Sequence, residues 1–244
     1  KNMLFKDAFW VDEPTWLITH SYSRHTTHFL EHLTPVFLAT KLVGKLKNWN
    51  HVRLMDHGAN LFDWQKGVLE LSTHSQPGDL HLSFGKPNIG QQVCYRRSAI
   101  PGFIFEIWED FSMANLFRKE AYERFLLPPP SKHKTMITVL KRQTKRVVSN
   151  FDVFIRFIET TQGLPVTSIT QSKMSFQEQV SHMHGTSLLI GMHGADLTNC
   201  IFLPKGSVLI EINPSRWMDA RFLRACKTSG VHYLSYNDEK RQGY

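Results

Sequence analysis

Apolar and polar positions change their period repeatedly along this chain, and the second half shows the changes most cleanly. Residues 135–140 form a short β-branched run, and 147–161 space their apolar residues at helical intervals. After Gly163, residues 164–170 read as a strand. Ser175 opens a helix to about residue 183, and Glu178 stands three positions on, where a capping box needs it. Residues 188–192 are an apolar strand, 195–202 a short helix, 207–212 a strand, 216–228 a helix and 231–236 a last strand. Strands alternating with helices at this spacing predict right-handed βαβ units on a parallel sheet.

The first half alternates less regularly. Strands are expected at 15–19, 52–56, 81–84, 92–96 and 103–108, and helices at 25–46, interrupted by Pro35, and at 60–71. Between the halves stands Pro128-Pro129-Pro130, followed by the polar Ser131-Lys132-His133-Lys134. Consecutive prolines neither continue a helix nor join a central strand, so residues 128–134 are the expected linker. The expected organisation is an α/β domain over 1–127 and a second over 135–244. Two such Rossmann-like domains would face one another across a cleft and bind ligands beyond the carboxyl ends of their strands.

Composition narrows the classes. Hydrophobic residues make up 41% and charged residues 20%, as in soluble globular proteins, and no apolar run is long enough for a membrane span. The formal charge of +8 calls for an anionic partner. Basic residues are scattered, apart from 132–146, which suits a phosphate-binding enzyme at least as well as a nucleic-acid groove. Nucleic acid is therefore not the expected partner. Cys94, Cys200 and Cys226 have no metal-binding spacing, and Asn213 is followed by Pro214, which spoils the one N-x-Ser sequon. Both facts lean toward the cytoplasm; the alternative is a Golgi or endoplasmic-reticulum lumen with an anchor trimmed off.

The richest chemistry follows the strand at 188–192. His193-Gly194-Ala195-Asp196-Leu197-Thr198-Asn199 carries the chain through a small-residue turn into a helix. Gly194 and Ala195 let backbone approach a ligand, and the N–H groups at a helix start favour phosphate oxygens. Thr198, Asn199 and His193 add polar side chains. Taken alone, the segment is either a phosphate-binding turn or an ordinary strand–turn–helix.

The longer stretch HGADLTNCIFLPKGSVLIE, residues 193–211, resembles the signature of glycosyltransferase family 61. It has the H-G-A-x-L-T-N core, then F-L-P-x-G-S and an acidic residue, Glu211, ending the next strand. Asp196 departs from the pattern, standing where many relatives carry a small residue. Arg142 to Arg146, with Asn150 beyond, is similar to the family's R-x-x-x-R-x-x-x-N segment, and Phe176-Gln177-Glu178-Gln179 to another of its runs. Arginines suit a diphosphate because the guanidinium fork makes paired, charge-assisted bonds, and two of them four apart share a face if the segment is helical.

The resemblance implies a GT-B fold, a UDP-sugar donor held mainly by the second domain, and inversion at the anomeric carbon. It also implies no cofactor and no divalent metal, and no D-x-D occurs. The donor contacts it implies are Arg142, Arg146, Gln179, His193, Gly194, Ala195, Thr198, Asn199 and Glu211. Xylose is the first expectation for the sugar and N-acetylglucosamine the second, with a glycan or glycoprotein hydroxyl as acceptor.

An inverting transfer needs a base for the acceptor hydroxyl. His25, His28 and His32 recur on one helix face, too nearly collinear to surround a metal ion. His28, Glu31 and Pro35 match the family's N-terminal pattern, which makes His28 the expected site residue and Glu31 its orienting partner. Glu106, Asp110 and Asp56 are the reserve bases, and Trp108 and Trp217 the aromatic residues to test for sugar stacking. Two other readings stay open: a catalytically silent nucleotide- or glycan-binding module of this fold, and a basic nucleic-acid-binding protein.

Overall fold

A computed structural model describes residues 8–18, 26–46, 49–55, 61–84, 92–101, 107–108, 111–130, 136–214 and 219–237. The chain divides into two compact units, residues 1–105 and 106–244. Both are built on parallel sheets with helices, the mixed α/β architecture expected for Rossmann-like domains.

In the first unit the elements run β1 (Phe9–Val11), β2 (Thr15–Ile18), α1 (Thr26–Leu42), β3 (His51–Leu54), α2 (Asp63–Thr73), β4 (His81–Phe84), β5 (Val93–Tyr95) and β6 (Ser98–Ala99). One sheet has the order β4-β3-β2-β6, and β1 pairs separately with β5. Helices α1 and α2 pack on one another. Helix α1 passes through Pro35 where the sequence predicts an interruption. Burial of Phe29, Leu30 and Leu33 before the proline, and of Val36 and Phe37 after it, offsets the hydrogen bond that proline cannot donate. The strand expected at 103–108 falls mostly outside the described residues, and Ile107 and Trp108 are buried outside any strand.

The second unit contains α3 (Phe111–Arg124), β7 (Met136–Leu140), α4 (Phe151–Gln162), β8 (Val166–Ile169), α5 (Phe176–Gly185), β9 (Thr186–Met192), a 3-10 segment (Ala195–Phe202), β10 (Val208–Asn213), α6 (Arg221–Ser229) and β11 (His232–Asn237). Five parallel strands lie in the order β11-β10-β9-β7-β8. The strand periodicity explains the two faces. Ile137, Val139 and Ile190 meet Ile158, Phe151, Phe154 and Ile155 of α4 on one side. The alternate residues Thr138, Leu189, Leu209 and Glu211 are all fully buried. Ser175 caps α5 as expected: its Oγ accepts from Glu178 N at 3.2 Å, and Glu178 Oε2 accepts from Ser175 N at 2.7 Å.

Helix α3, which periodicity alone does not announce, packs on α5, α6 and the 3-10 segment. Arg118 Nη1 donates to Leu203 O and Ser229 O, each at 2.8 Å, and Tyr122 Oη donates to Phe202 O at 2.6 Å. These bonds tie α3 to elements that come much later in the chain. The proline run therefore lies inside the second unit, where Pro128 O accepts from His184 Nε2 at 2.7 Å. The division between the units falls before α3 rather than at 128–134.

Candidate functional site

Read from β8, the second-unit sheet has the order of a doubly wound fold whose topological switch point lies between β7 and β9. The two neighbouring strands send their following loops in opposite directions there, which opens a crevice beyond their carboxyl ends. Arg142 follows β7 by two residues and His193-Gly194 follows β9 directly, so the fold brings these sequence motifs to one place. Gly191, in β9, permits the approach: a Cβ on it would lie 2.9 Å from Leu197 Cδ2 and 3.1 Å from Leu140 Cδ1.

The Arg142 guanidinium rests on the bare Cα of Gly194. A Cβ there would fall 1.8 Å from Arg142 Nη1 and 2.8 Å from Cζ. Arg142 Nε donates to Lys145 O at 3.0 Å, which curls the loop after β7 around the side chain. Its Nη1 is buried with no hydrogen-bond partner among the described residues, and Asp196 Oδ2 lies 3.6 Å away. That separation allows charge attraction but is too long for a hydrogen bond. A buried guanidinium N–H with unused donor capacity, at a switch point, is suited to an anionic oxygen.

Residues 141–148 form a loop, not the helix that would put Arg142 and Arg146 on a common face. Arg146 sits at φ 58°, a left-handed conformation incompatible with a continuing helix. The two arginines nevertheless share one electrostatic environment. Burial first, and then the Arg142 cation, push the Arg146 guanidinium below its usual range, while Asp196 and Glu211 pull it back. A ligand carrying negative charge relieves the repulsion between the two cations.

Behind the turn lies a chain of polar contacts. Glu211 is fully buried; its Oε1 is 2.5 Å from His193 Nδ1, and its Oε2 accepts from Tyr233 Oη at 2.6 Å. With Glu211 ionised, its carboxylate only accepts, and the bond then requires the proton on His193 Nδ1. Burial, together with the Glu211 carboxylate, raises the Tyr233 phenol well above its usual range and keeps it a donor. Tyr233 was not anticipated, because its place beside Glu211 depends on the pairing of β11 with β10, where Leu209 is in register with Tyr233.

Gln179 is also turned inward. Its Nε2 donates to Gln171 O and Met174 O at 3.1 and 3.0 Å, and its Oε1 accepts from Asn199 Nδ2 at 2.7 Å. Thr198 and Asn199 are 1% and 2% exposed. Within residues 193–199 only Ala195 and Asp196 keep appreciable surface. Of the residues expected at the donor, Gln179, His193, Gly194, Thr198, Asn199 and Glu211 are thus buried, and Arg142, Arg146 and Ala195 keep part of their surface.

In the first unit, the expected pairing of His28 and Glu31 is realised: His28 Nδ1 lies 2.7 Å from Glu31 Oε2, with the Glu31 side chain 2% exposed. A buried carboxylate one helical turn away fixes the ring's orientation. Trp108 is buried against Phe117, with ring centroids 4.9 Å apart, so it is a packing residue and not a stacking platform. His25, Asp56, Glu106, Asp110 and Trp217 lie outside the described residues. Cys94, Cys200 and Cys226 are free thiols. No group of three or more His, Cys, Asp or Glu side chains among the described residues is placed to hold a metal ion, and no helix there is long and apolar enough to cross a membrane.

A cationic loop beside a strand–turn at the switch point of a parallel sheet defines a Rossmann-like α/β domain. The model of the glycosyltransferase 61 family matches residues 27–210, most of the chain. This chain belongs to that family.

Similar curated proteins include the EGF domain-specific O-linked N-acetylglucosamine transferase of Drosophila melanogaster, 30% identical over 167 residues, covering 60% of this chain and 31% of that protein. The protein O-linked-mannose beta-1,4-N-acetylglucosaminyltransferase 2 of Takifugu rubripes is 28% identical over 111 residues, 43% of this chain and 19% of its own. The EGF domain-specific enzyme of Xenopus laevis is 32% identical over 112 residues, 44% of this chain and 21% of its own. The matches thus span less than a third of each relative's length.

Proposed function

We propose that this chain takes part in an inverting glycosyl transfer from a UDP-sugar to a hydroxyl of a glycan or glycoprotein, with its second unit holding the donor in a GT-B arrangement. The observation that carries the reading is Arg142. Its buried, unsatisfied Nη1 lies over Gly194 at the switch point, next to the second cation, Arg146. In this reading the two guanidinium groups meet the donor diphosphate and stabilise the charge that grows on it as it leaves. Gln179, Thr198, Asn199 and Glu211 hold the turn in shape, and His193, steered by Glu211, faces the donor.

His28 is the proposed base, oriented by Glu31. It accepts the proton of the acceptor hydroxyl as that oxygen attacks the anomeric carbon. The bond from that carbon to the diphosphate oxygen breaks, and its electron pair leaves with the UDP. Because cations already balance the diphosphate, the reading assigns no step to a divalent metal. The names of the relatives put N-acetylglucosamine ahead of xylose as the transferred sugar.

Calorimetry with UDP in the presence of a chelator tests the donor site, with binding expected to weaken about tenfold or more in Arg142→Ala. UDP release from UDP-N-acetylglucosamine is expected to fall about a hundredfold or more in His28→Ala. Binding or turnover that appears only with manganese would contradict the reading.

A further inference from the structure

Asp196 is the member of the turn whose position the donor site does not account for. It is the second residue of the 3-10 segment, and its side chain is 40% exposed. Its carboxylate accepts no hydrogen bond among the described residues; it faces Arg142 Nη1 at 3.6 Å and also acts on Arg146. The other carboxylate nearby, Glu211, is committed to His193 and Tyr233. Asp196 is therefore a negative charge not held by hydrogen bonds, beside a site that otherwise presents two cations.

A diphosphate brought to Arg142 and Arg146 arrives where this carboxylate already stands. The unused donor of Arg142 serves one anion at short range at a time, and two anions held side by side repel. A residue placed to orient Arg142 would be expected at hydrogen-bond distance, with its own oxygens fixed by neighbours. Asp196 has neither property, whereas the Lys145 carbonyl, 3.0 Å from Nε, has the first of them.

We propose that Asp196 is an internal counter-ion that competes with the nucleotide diphosphate for Arg142. It balances the cation in the empty site, swings aside when the ligand binds, and promotes departure of the nucleoside diphosphate product. The proposal rests on the donor-site reading above, and its test separates the two.

Calorimetric titrations with UDP and with inorganic pyrophosphate, on the wild type and on Asp196→Asn, read it directly. The asparagine keeps the shape and removes the charge. Both probes are expected to bind the variant about fivefold more tightly at low salt, an advantage that shrinks as salt rises from about 50 to about 500 mM. The donor KM should fall by a similar factor, with the thermal midpoint unchanged. Weaker binding to Asp196→Asn would show that the carboxylate orients Arg142, and equal binding that it is a bystander; either overturns the proposal. Tighter pyrophosphate binding without any UDP binding would remove the uridine-nucleotide reading and leave the counter-ion in place. Failure of both probes to bind either protein would overturn both.

Discussion

His193 Nδ1 lies 2.5 Å from Glu211 Oε1, and the two residues are 6% and 0% exposed. His193 directly follows the strand β9, and Glu211 lies in β10 two residues before its end, so the contact joins the turn to the sheet beneath it. Since the carboxylate only accepts, it selects the imidazole form with hydrogen on Nδ1. Glu211→Gln changes that chemistry with little change of shape, because the amide offers N–H groups as well as a carbonyl. With the amide N–H toward His193, the ring is expected to move its proton to Nε2. Nitrogen chemical shifts of the His193 ring should then report the opposite tautomer, and transfer should fall about tenfold or more. Retention of the wild-type tautomer together with full activity would separate Glu211 from the function of His193.

Gly194 is required by contact, not by backbone freedom. The nearest atom to an added Cβ is the far end of the Arg142 side chain, 1.8 Å away, so Gly194→Ala displaces a flexible guanidinium instead of backbone. The fold should therefore tolerate the change, costing about 1 kcal/mol or less in urea denaturation. Binding of UDP should weaken about as much as in Arg142→Ala, tenfold or more. A variant that binds UDP normally would show that Arg142 does not need its place over the turn.

The second half of the fold was legible because its strands are short apolar runs separated by helical periods, and because Ser175 and Glu178 mark a helix start. The turn at His193 to Asn199 was legible for the same local reason. What could not be read depended on residues distant in the chain. Helix α3 buries Ala114, Phe117 and Ala121, but Arg118 interrupts that stripe, and the distant carbonyls of Leu203 and Ser229 explain a cation there. Tyr233 reaches Glu211 through the register of two strands that meet only in the folded sheet. The spacing of Arg142 and Arg146 suggested a helical face, whereas the curl onto Lys145 O and the left-handed Arg146 join them in a loop. The His28–Glu31 pair needed only one helical turn, and it formed as expected.

Gln179 distinguishes a framework residue from a ligand contact. Gln179→Leu withdraws two donors from the carbonyls of Gln171 and Met174 and the acceptor from Asn199 Nδ2, all in a buried setting. Loss of such a network should cost about 2–4 kcal/mol in urea denaturation. The UDP affinity of the folded protein should stay within about twofold, since no lost bond points to the front of the turn. The opposite outcome, unchanged stability with a collapse of UDP binding, would return Gln179 to the donor contacts.

The last prediction concerns acid. His182 lies in α5, with Nε2 3.0 Å from Thr138 Oγ1, and Thr138 in turn is 2.8 Å from Thr186 Oγ1. Burial lowers the imidazole pKa below its ordinary 6.5 in the folded protein. A lowered folded pKa means that the unfolded chain binds the proton first as pH falls. The contribution of neutral His182 is therefore complete above about pH 6.5, declines as pH drops below it, and is lost once pH passes the lower folded value. Urea denaturation from pH 8 to pH 5 should show the wild type losing stability relative to His182→Gln, with an excess slope below about one proton. Because α5 carries Gln179 and leads directly into β9, this loss should be accompanied by weaker UDP binding at the acid end. Parallel stability curves for the two proteins would show that the ring is as well solvated folded as unfolded.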